Sequence, residues 1–212
     1  MAETEERKVT ELGDPSAPKG EAGREMLKRM NRSHYDVSGW GLGFLTFSGD
    51  EKVLDIGCGG GETLSRMAEK ITSGHLVGAD VSDISVEMST ERNIDSIRSG
   101  KMEIIKASAD ELPFPDDTFD IITTVESFYF WNTEKSLKEV FRVLSGSGTF
   151  IIIADIYGGA DLTDEQLDNI RKYNLFNPSP EEFKALLTNA GFTDVKIHLK
   201  ENTTWICAEG HK

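Results

Sequence analysis

The sequence is poor in cysteine and in positive charge, and each shortage excludes a class of protein. Two cysteines among 212 residues are too few for a disulfide framework. Lysine and arginine number 23 against 37 aspartates and glutamates, which gives a net charge of -14 at pH 7. A chain this acidic has no positive field to attract a phosphate backbone, so we expect no nucleic-acid partner and no polyanionic substrate.

Long apolar runs and metal-ligand spacings are missing as well. No run approaches the roughly 20 apolar residues of a transmembrane helix, so we expect no membrane partner. The first 21 residues lack the apolar core of a signal peptide, which predicts a cytoplasmic location. No histidine or cysteine spacing is typical of a metal centre, and we predict none.

The segment VLDIGCGGG, residues 53–61, is the most informative part of the chain. A short apolar run ends in a carboxylate and is followed by a burst of glycine. The next residues place apolar side chains at helical spacing: Leu64, Met67, Ala68 and Ile71. The pattern predicts a strand, a tight turn and a helix, the point at which open α/β sheets bind ligands.

The details of this turn exclude two common ligand classes. A dinucleotide fingerprint that starts at Gly57 needs a glycine at position 62, which is Glu62 here, and no P-loop motif occurs. The next apolar run ends at Asp80, nineteen residues after Gly61, where a carboxylate can accept both ribose hydroxyls. A ligand with ribose and adenine but no phosphate fits best.

Four segments in order carry a family resemblance: VLDIGCGGG, LVGADVS (76–82), SADELPFPDDTFDIITTVES (108–127) and LKEVFRVLSGSGTFIII (137–153). Together they resemble the class I S-adenosylmethionine-dependent methyltransferases, in particular the small-molecule, methyltransferase type 11-like branch. The resemblance implies an α/β fold: a Rossmann-like, doubly wound, seven-stranded and mostly parallel sheet with an antiparallel last strand and an N-terminal helical lid. It implies S-adenosylmethionine as cofactor and S-adenosylhomocysteine as product.

The resemblance also assigns residues to the cofactor. The expected cofactor-binding residues are Asp55, Gly57, Cys58, Gly59, Gly61, Asp80, Val81, Ser108, Ala109, Asp110 and Val125. Ser108 stands where the family usually has the carboxylate that binds the adenine amine. Either Ser108 itself or Asp110, two residues on, makes that contact.

Domain boundaries follow composition and the resemblance. Residues 1–23 are charged and punctuated by glycine and proline, and are predicted to be a mobile tail. Residues 24–212 form one domain: a lid (24–47), a cofactor-binding core (50–155), and C-terminal helices with the last two strands (156–212). In the lid, Tyr35 and Trp40 are expected at the substrate pocket, since aromatic faces suit a sulfonium cation. Phe44 and Phe47 are expected to cap a sheet edge.

The acceptor is expected beyond the carboxyl ends of the strands. There the sequence places Glu126 and Tyr129, which together with His34 of the lid are the candidate catalytic residues. Trp131, Asp155 and Tyr157 are the remaining substrate-pocket candidates, whereas Phe128 and Phe130 are predicted to be core.

These observations predict transfer of the methyl group of S-adenosylmethionine to an unidentified small-molecule acceptor by in-line displacement. Two alternatives stay open: a module that binds S-adenosylmethionine without transferring methyl, and a nicotinamide-dependent oxidoreductase. We expect a monomer or a homodimer.

Overall fold

A computed structural model describes residue 10 and residues 12–212 of the chain. Within them, seven strands form one sheet in the order β3-β2-β1-β4-β5-β7-β6. The strands are β1 (Lys52–Ile56), β2 (His75–Asp80), β3 (Met102–Lys106), β4 (Phe119–Val125), β5 (Leu144–Ala154), β6 (Thr193–Leu199) and β7 (Ile206–His211). The first five strands pair in parallel, and β7 is antiparallel to both β5 and β6. This confirms the predicted Rossmann-like sheet.

Helices connect and cover the strands. They are α1 (Gly20–Ser33), α2 (Tyr35–Leu42), α3 (Glu62–Ala68), α4 (Asp83–Arg92), α5 (Ile94–Arg98), α6 (Thr133–Val143), α7 (Asp164–Tyr173) and α8 (Pro180–Asn189), with a short 3-10 helix at Phe128–Phe130. Across residues 10 and 12–212, every helix is too short or too polar to span a bilayer.

The two faces of the sheet bury different sets of side chains because strand residues alternate in direction. On one face, Leu54 of β1 and Ile152 of β5 belong to the large core that includes residues of α6 and α8. On the other face, Val53 packs with residues of α3, and Ile151 packs with Val37 of α2. The sheet is therefore covered on both sides, as a doubly wound fold requires.

Two elements differ from the sequence prediction. Ser82 as N-cap predicts one helix over about residues 83–98, but the helix divides at Asn93, whose side-chain amide donates to the carbonyls of Gly61 and Ser89. The apolar run from Phe150 to Ala154 predicts the fifth strand, but β5 begins at Leu144, and its pairing with β4 shifts register between Phe119 and Ile121.

The N-terminal boundary also differs from the prediction. Residues 1–9 and 11 of the predicted tail lie outside the described residues. Helix α1 begins at Gly20, and the carbonyl of buried Pro18 accepts a hydrogen bond of 2.6 Å from the Ser82 hydroxyl. The ordered domain thus begins before residue 24.

Candidate active site

The Gly-rich turn between β1 and α3 forms the floor of a cavity at the carboxyl end of the sheet. Gly57 has φ +74°, and its N–H donates to the carbonyl of Ala79 at 2.8 Å. A Cβ atom on Gly57 would lie 2.1 Å from the Ser127 hydroxyl oxygen. Both the backbone angle and the close approach of β4 therefore require glycine here.

Two buried carboxylates lie beside this turn. One oxygen of Asp80 accepts from the Gly59 N–H and the other from the Ser82 N–H, each at 2.9 Å. Asp55 accepts from the Thr123 hydroxyl at 2.7 Å. Burial raises the pKa of Asp80, and burial raises the pKa of Asp55 to about 7, although the hydrogen bond from Thr123 opposes that shift.

Helix α1 and the segment before it form the opposite wall. Leu27, Met30, Asn31 and His34 face the cavity, as do Pro15, Ser16 and Pro18. The Asn31 amide donates to the Gly60 carbonyl at 3.3 Å, which connects the helix to the turn. This wall is the helical part of the predicted lid, extended by residues that the sequence assigned to the tail.

The structure brings ten of the eleven predicted cofactor residues together. The following line the cavity: Asp55, Gly57, Cys58, Gly59, Asp80, Val81, Ser108, Ala109, Asp110 and Val125. Gly61 does not, which corrects that prediction. A Cβ atom on Gly61 would lie 2.5 Å from the Ser89 hydroxyl, so glycine is needed there for the packing of α3 against α4.

Both candidates for the adenine contact lie in a well-fixed loop. The Asp110 N–H donates to the Ser108 hydroxyl at 3.2 Å, and the Asp110 carboxylate accepts from Ser136 at 2.5 Å. Arg142 fixes the following residues by donating to the carbonyls of Leu112 and Phe114, at 3.0 and 2.8 Å. Arg142 therefore has a structural role in this loop.

A second cavity adjoins the first. The two share a wall made of Pro15, Met30, His34, Glu126 and Phe130. The far side of the second cavity is formed by Arg29 of α1, by Gln166, Asn169 and Tyr173 of α7, and by Leu175. Tyr129, Asp155 and Ile156 lie at its base.

Acidic groups meet where the two cavities join. Glu126 has φ +56° and directly follows β4, and its Oε2 accepts from the Tyr129 hydroxyl at 3.0 Å. The same hydroxyl lies 3.2 Å from Oδ1 of Asp155. Burial and the nearby charge of Asp155 raise the pKa of Glu126. Burial lowers the pKa of His34, although the nearby charge of Asp155 opposes that shift.

Three side chains expected in the substrate pocket line neither cavity. Tyr35 is 49% exposed with the Arg66 guanidinium 4.2 Å from its ring centre, and Trp40 packs against Phe44 and Trp205. Tyr157 is the third.

Tyr157 packs against the main core, because the chain turns away after Asp155. Trp131 lines the first cavity and donates to the Ser127 hydroxyl at 3.1 Å. Phe130, predicted to be core, belongs to the shared wall, whereas Phe128 is buried as predicted. Phe44 stacks on His198 of the edge strand β6 at 3.9 Å, which confirms its expected place.

Sequence reasoning missed the polar residues of the second cavity. Arg29, Asn169 and Tyr173 belong to no motif, Gln166 belongs only to a helix cap, and only folding brings residues of α7 and α1 to one cavity. Asn31 had a usable signal: it precedes His34 by three residues, so the two share a helix face.

Comparisons with known proteins agree with this arrangement. A methyltransferase-domain family model matches residues 54–152. The ubiquinone/menaquinone biosynthesis C-methyltransferase of Cronobacter sakazakii is 31% identical over 176 residues, which cover 70% of this chain and 68% of that protein. A Thermotoga maritima structure described as an S-adenosylmethionine-dependent, possible histamine N-methyltransferase aligns over 100% of both chains, with a TM-score of 0.70 and 21% identity.

A third similar structure contains ligands. It is phosphoethanolamine N-methyltransferase 2 of Haemonchus contortus, in complex with phosphomonomethylethanolamine and S-adenosylhomocysteine. The alignment covers 98% of this chain and 60% of that one, with a TM-score of 0.76 and 13% identity.

The sheet order, the Gly-rich turn and the acidic residue at the end of β2 define a class I S-adenosylmethionine-dependent methyltransferase. The chain belongs to this family, in the branch of the methyltransferase-domain model that it matches. Its cofactor is therefore S-adenosylmethionine, which decides against the nicotinamide oxidoreductase.

The residues present fit this cofactor. Gly57 and Gly59 have no side chains and adopt positive φ angles, so the backbone of the turn can approach a bound ligand closely. The Asp80 carboxylate is fixed by two backbone N–H groups and still has lone pairs for ribose hydroxyls.

Proposed function

We propose that this enzyme transfers the methyl group of S-adenosylmethionine to a small polar acceptor that binds in the second cavity. One observation carries the proposal: the cofactor cavity and the second cavity share a wall of five residues, so a group in one lies beside a group in the other. Methyl transfer requires this adjacency, because acceptor and methyl carbon must lie in line with sulfur.

In this proposal, each cofactor-binding residue contacts a different part of S-adenosylmethionine. Asp80 accepts from the ribose hydroxyls, and Asp55 offers its carboxylate to the ammonium group of the methionine part. Ser108 or Asp110 accepts from the adenine amine. When bound, the cofactor supplies an activated methyl group with a good leaving group, so the protein mainly aligns the reactants and excludes water.

In this proposal, polar side chains of the second cavity orient the acceptor. Asn169 and Tyr173 of α7 offer hydrogen-bonding groups, and Arg29 of α1 offers a guanidinium. His34 and Glu126 lie on the shared wall, and Glu126 accepts a hydrogen bond from Tyr129. The proposed catalytic residues His34, Glu126 and Tyr129 would therefore lie next to the transferred group.

The 31% relative is named a C-methyltransferase of quinone biosynthesis. The Haemonchus contortus structure is named an N-methyltransferase, and the Thermotoga maritima structure is described as a possible histamine N-methyltransferase. These names support a small molecule as the acceptor and leave its reacting atom to be identified by experiment. A cytoplasmic location and a monomer or homodimer remain predictions.

The first test is thermal unfolding with S-adenosylmethionine, S-adenosylhomocysteine or NAD. A ligand at about 100 times its dissociation constant stabilises the folded state by about 2.7 kcal/mol. For a chain of this size, that raises the midpoint of thermal unfolding by about 5–10 °C. We expect this rise with both S-adenosyl ligands and none with NAD. Screening acceptors for release of S-adenosylhomocysteine then distinguishes an enzyme from a binding module without turnover.

Paired variants then test the division into two cavities. Asn169→Ala should raise the KM for the acceptor and leave the Kd for S-adenosylhomocysteine unchanged, because Asn169 lines only the second cavity. Asp80→Asn should weaken S-adenosylhomocysteine instead. An Asn169→Ala enzyme with unaltered acceptor kinetics would contradict the proposed acceptor site.

A further inference from the structure

Three potential metal ligands converge where the two cavities meet. One ligating atom from each of His34, Glu126 and Asp155 lies within 4.8 Å of the other two. They follow α1, β4 and β5 respectively, and are far apart in sequence. The search for metal-ligand spacing could therefore not find them.

Tyr129 restricts how the two carboxyl groups can be neutralised. Its hydroxyl lies 3.0 Å from Oε2 of Glu126 and 3.2 Å from Oδ1 of Asp155. A phenol has a single proton, so it donates to only one of these oxygens at a time. The pair of carboxyl groups therefore needs either an additional proton or a cation.

The remaining oxygen of Glu126 has no partner. Glu126 is 9% exposed, and its Oε1 is buried without a hydrogen bond among the residues that the structure describes. A buried carboxylate oxygen that lacks a partner is costly and indicates a missing ligand. Of the lysines and arginines in residues 10 and 12–212, Arg29 is the one that lines the second cavity, and its guanidinium donates to the Thr10 hydroxyl.

We propose that His34, Glu126 and Asp155 bind one divalent first-row transition-metal ion, such as Mn²⁺ or Zn²⁺. One imidazole nitrogen with two carboxylate oxygens suits these ions, whereas Mg²⁺ and Ca²⁺ favour sites made of oxygen alone. Bonds of about 2.0–2.2 Å at the tetrahedral angle place two ligands of one ion about 3.3–3.6 Å apart. The three ligand atoms, which lie within 4.8 Å of one another, must therefore approach by up to about 1.5 Å when the ion binds.

Tyr129 then acts as a positioning residue. Its hydroxyl lies within hydrogen-bond distance of Oε2 of Glu126 and Oδ1 of Asp155 and donates to one of them, which leaves Oε1 of Glu126 for the ion. Hydrogen bonds of this kind orient metal-binding carboxylates, and their loss typically weakens metal binding about 10- to 100-fold.

The chemical consequence rests on the proposed function. An ion at the shared wall has open coordination positions that a hydroxyl oxygen of the acceptor can occupy. Coordination lowers the pKa of that hydroxyl, which releases its proton to water. The oxygen electron pair forms the bond to the methyl carbon, while the electrons of the breaking sulfur–carbon bond return to sulfur. The site thus favours an acceptor with a hydroxyl group as its reacting atom.

The test measures metal binding alone, without cofactor or acceptor, so its failure is separate from failure of methyl transfer. The full chain is stripped with a chelator and titrated with MnCl₂ and with ZnCl₂ by calorimetry. The electron paramagnetic resonance signal of free Mn²⁺ counts the bound ions. We expect one ion per chain with a micromolar Kd.

Conservative variants identify the ligands. Glu126→Gln and Asp155→Asn should each weaken Mn²⁺ at least 30-fold, and Tyr129→Phe about 10-fold, because it removes no ligand atom. Asp83→Asn is the matched control: it removes an exposed carboxylate that pairs with Lys106 on the surface, and should leave the Kd unchanged. Circular dichroism confirms that each variant is folded.

Two outcomes would overturn the proposal. The first is that the unmodified chain shows no saturable metal binding below about 1 mM, the dissociation constant of the weakest protein metal sites. That result would mean that the carboxyl pair holds an additional proton instead of an ion. The second is metal binding that Asp83→Asn weakens as much as Glu126→Gln does, which would identify surface binding only.

Discussion

The pH dependence of cofactor binding should report the ionisation of Asp55. Burial raises the pKa of this carboxyl to about 7, so the unliganded protein holds it partly protonated near neutral pH. In the proposed function its carboxylate binds the cofactor ammonium, and only the ionised form can do so. Binding should therefore strengthen as the pH rises through 7.

The size of the effect follows from the pKa. With a pKa of about 7, the ionised fraction is about 0.09 at pH 6.0 and about 0.76 at pH 7.5. The apparent Kd varies inversely with the competent fraction. The Kd for S-adenosylhomocysteine should therefore fall about eightfold over this interval, which corresponds to about 1.3 kcal/mol.

Isothermal titration calorimetry with S-adenosylhomocysteine is the direct assay. The upper limit of pH 7.5 stays below the range of about 7.7–8.0 in which an α-amino group loses its proton. Titrations in buffers of different ionisation enthalpy at pH 6.5 should show net release of protons. Asp55→Asn is the control: it binds more weakly, and its Kd should be nearly independent of pH.

A pH slope that Asp55→Asn leaves intact would refute this reasoning, and would assign the titration to another group such as Asp80, whose pKa burial also raises. A flat profile in the unmodified enzyme would show that the charge of Asp55 does not contribute to binding.

Two stability changes test the turn and the neighbouring loop by chemical denaturation. Gly57→Ala should lower the free energy of unfolding by about 2–5 kcal/mol, because it combines an unfavourable φ with overlap on Ser127. Gly100→Ala, at φ +78° in open space, should lower it by only about 1–2 kcal/mol. Equal losses would show that the close contact with Ser127 does not matter. Arg142→Ala leaves two loop carbonyls without donors and should lower the free energy of unfolding by about 1–3 kcal/mol. Lys138→Ala, on the surface, should lower it by less than about 0.5 kcal/mol. Similar small losses for both variants would contradict a structural role of Arg142.

Local signals in the sequence were sufficient for most secondary structure. The sequence predicts strands from Met102 to Lys106 and from Phe119 to Val125, and β3 and β4 have these bounds. The spacing of Thr163 with Gln166 and of Ser179 with Glu182 predicts two capping boxes, and both are present because each depends only on residues three apart. Helix α4 ends early because Asn93 bonds to a distant turn, which no local pattern reports.

The cofactor cavity was largely predictable because consecutive residues form it. One turn brings Gly57, Cys58 and Gly59 to the cavity floor, and parallel strand pairing places Asp80 next to them. The aromatic residues of the lid were misplaced because helical position alone does not decide whether a ring faces a ligand or the sheet. Trp40 faces β5 and Trp205, on the side of α2 that packs against the sheet.

The sequence by itself therefore determined the sheet, the Gly-rich turn and the cofactor, each of which depends on short segments with their own periodicity or spacing. Only the tertiary structure decided the second cavity and the meeting of His34, Glu126 and Asp155. These residues are separated by up to about 120 positions in the sequence. They come together because the end of α1 lies near the carboxyl ends of β4 and β5. Convergence of this kind depends on packing, which no single segment encodes.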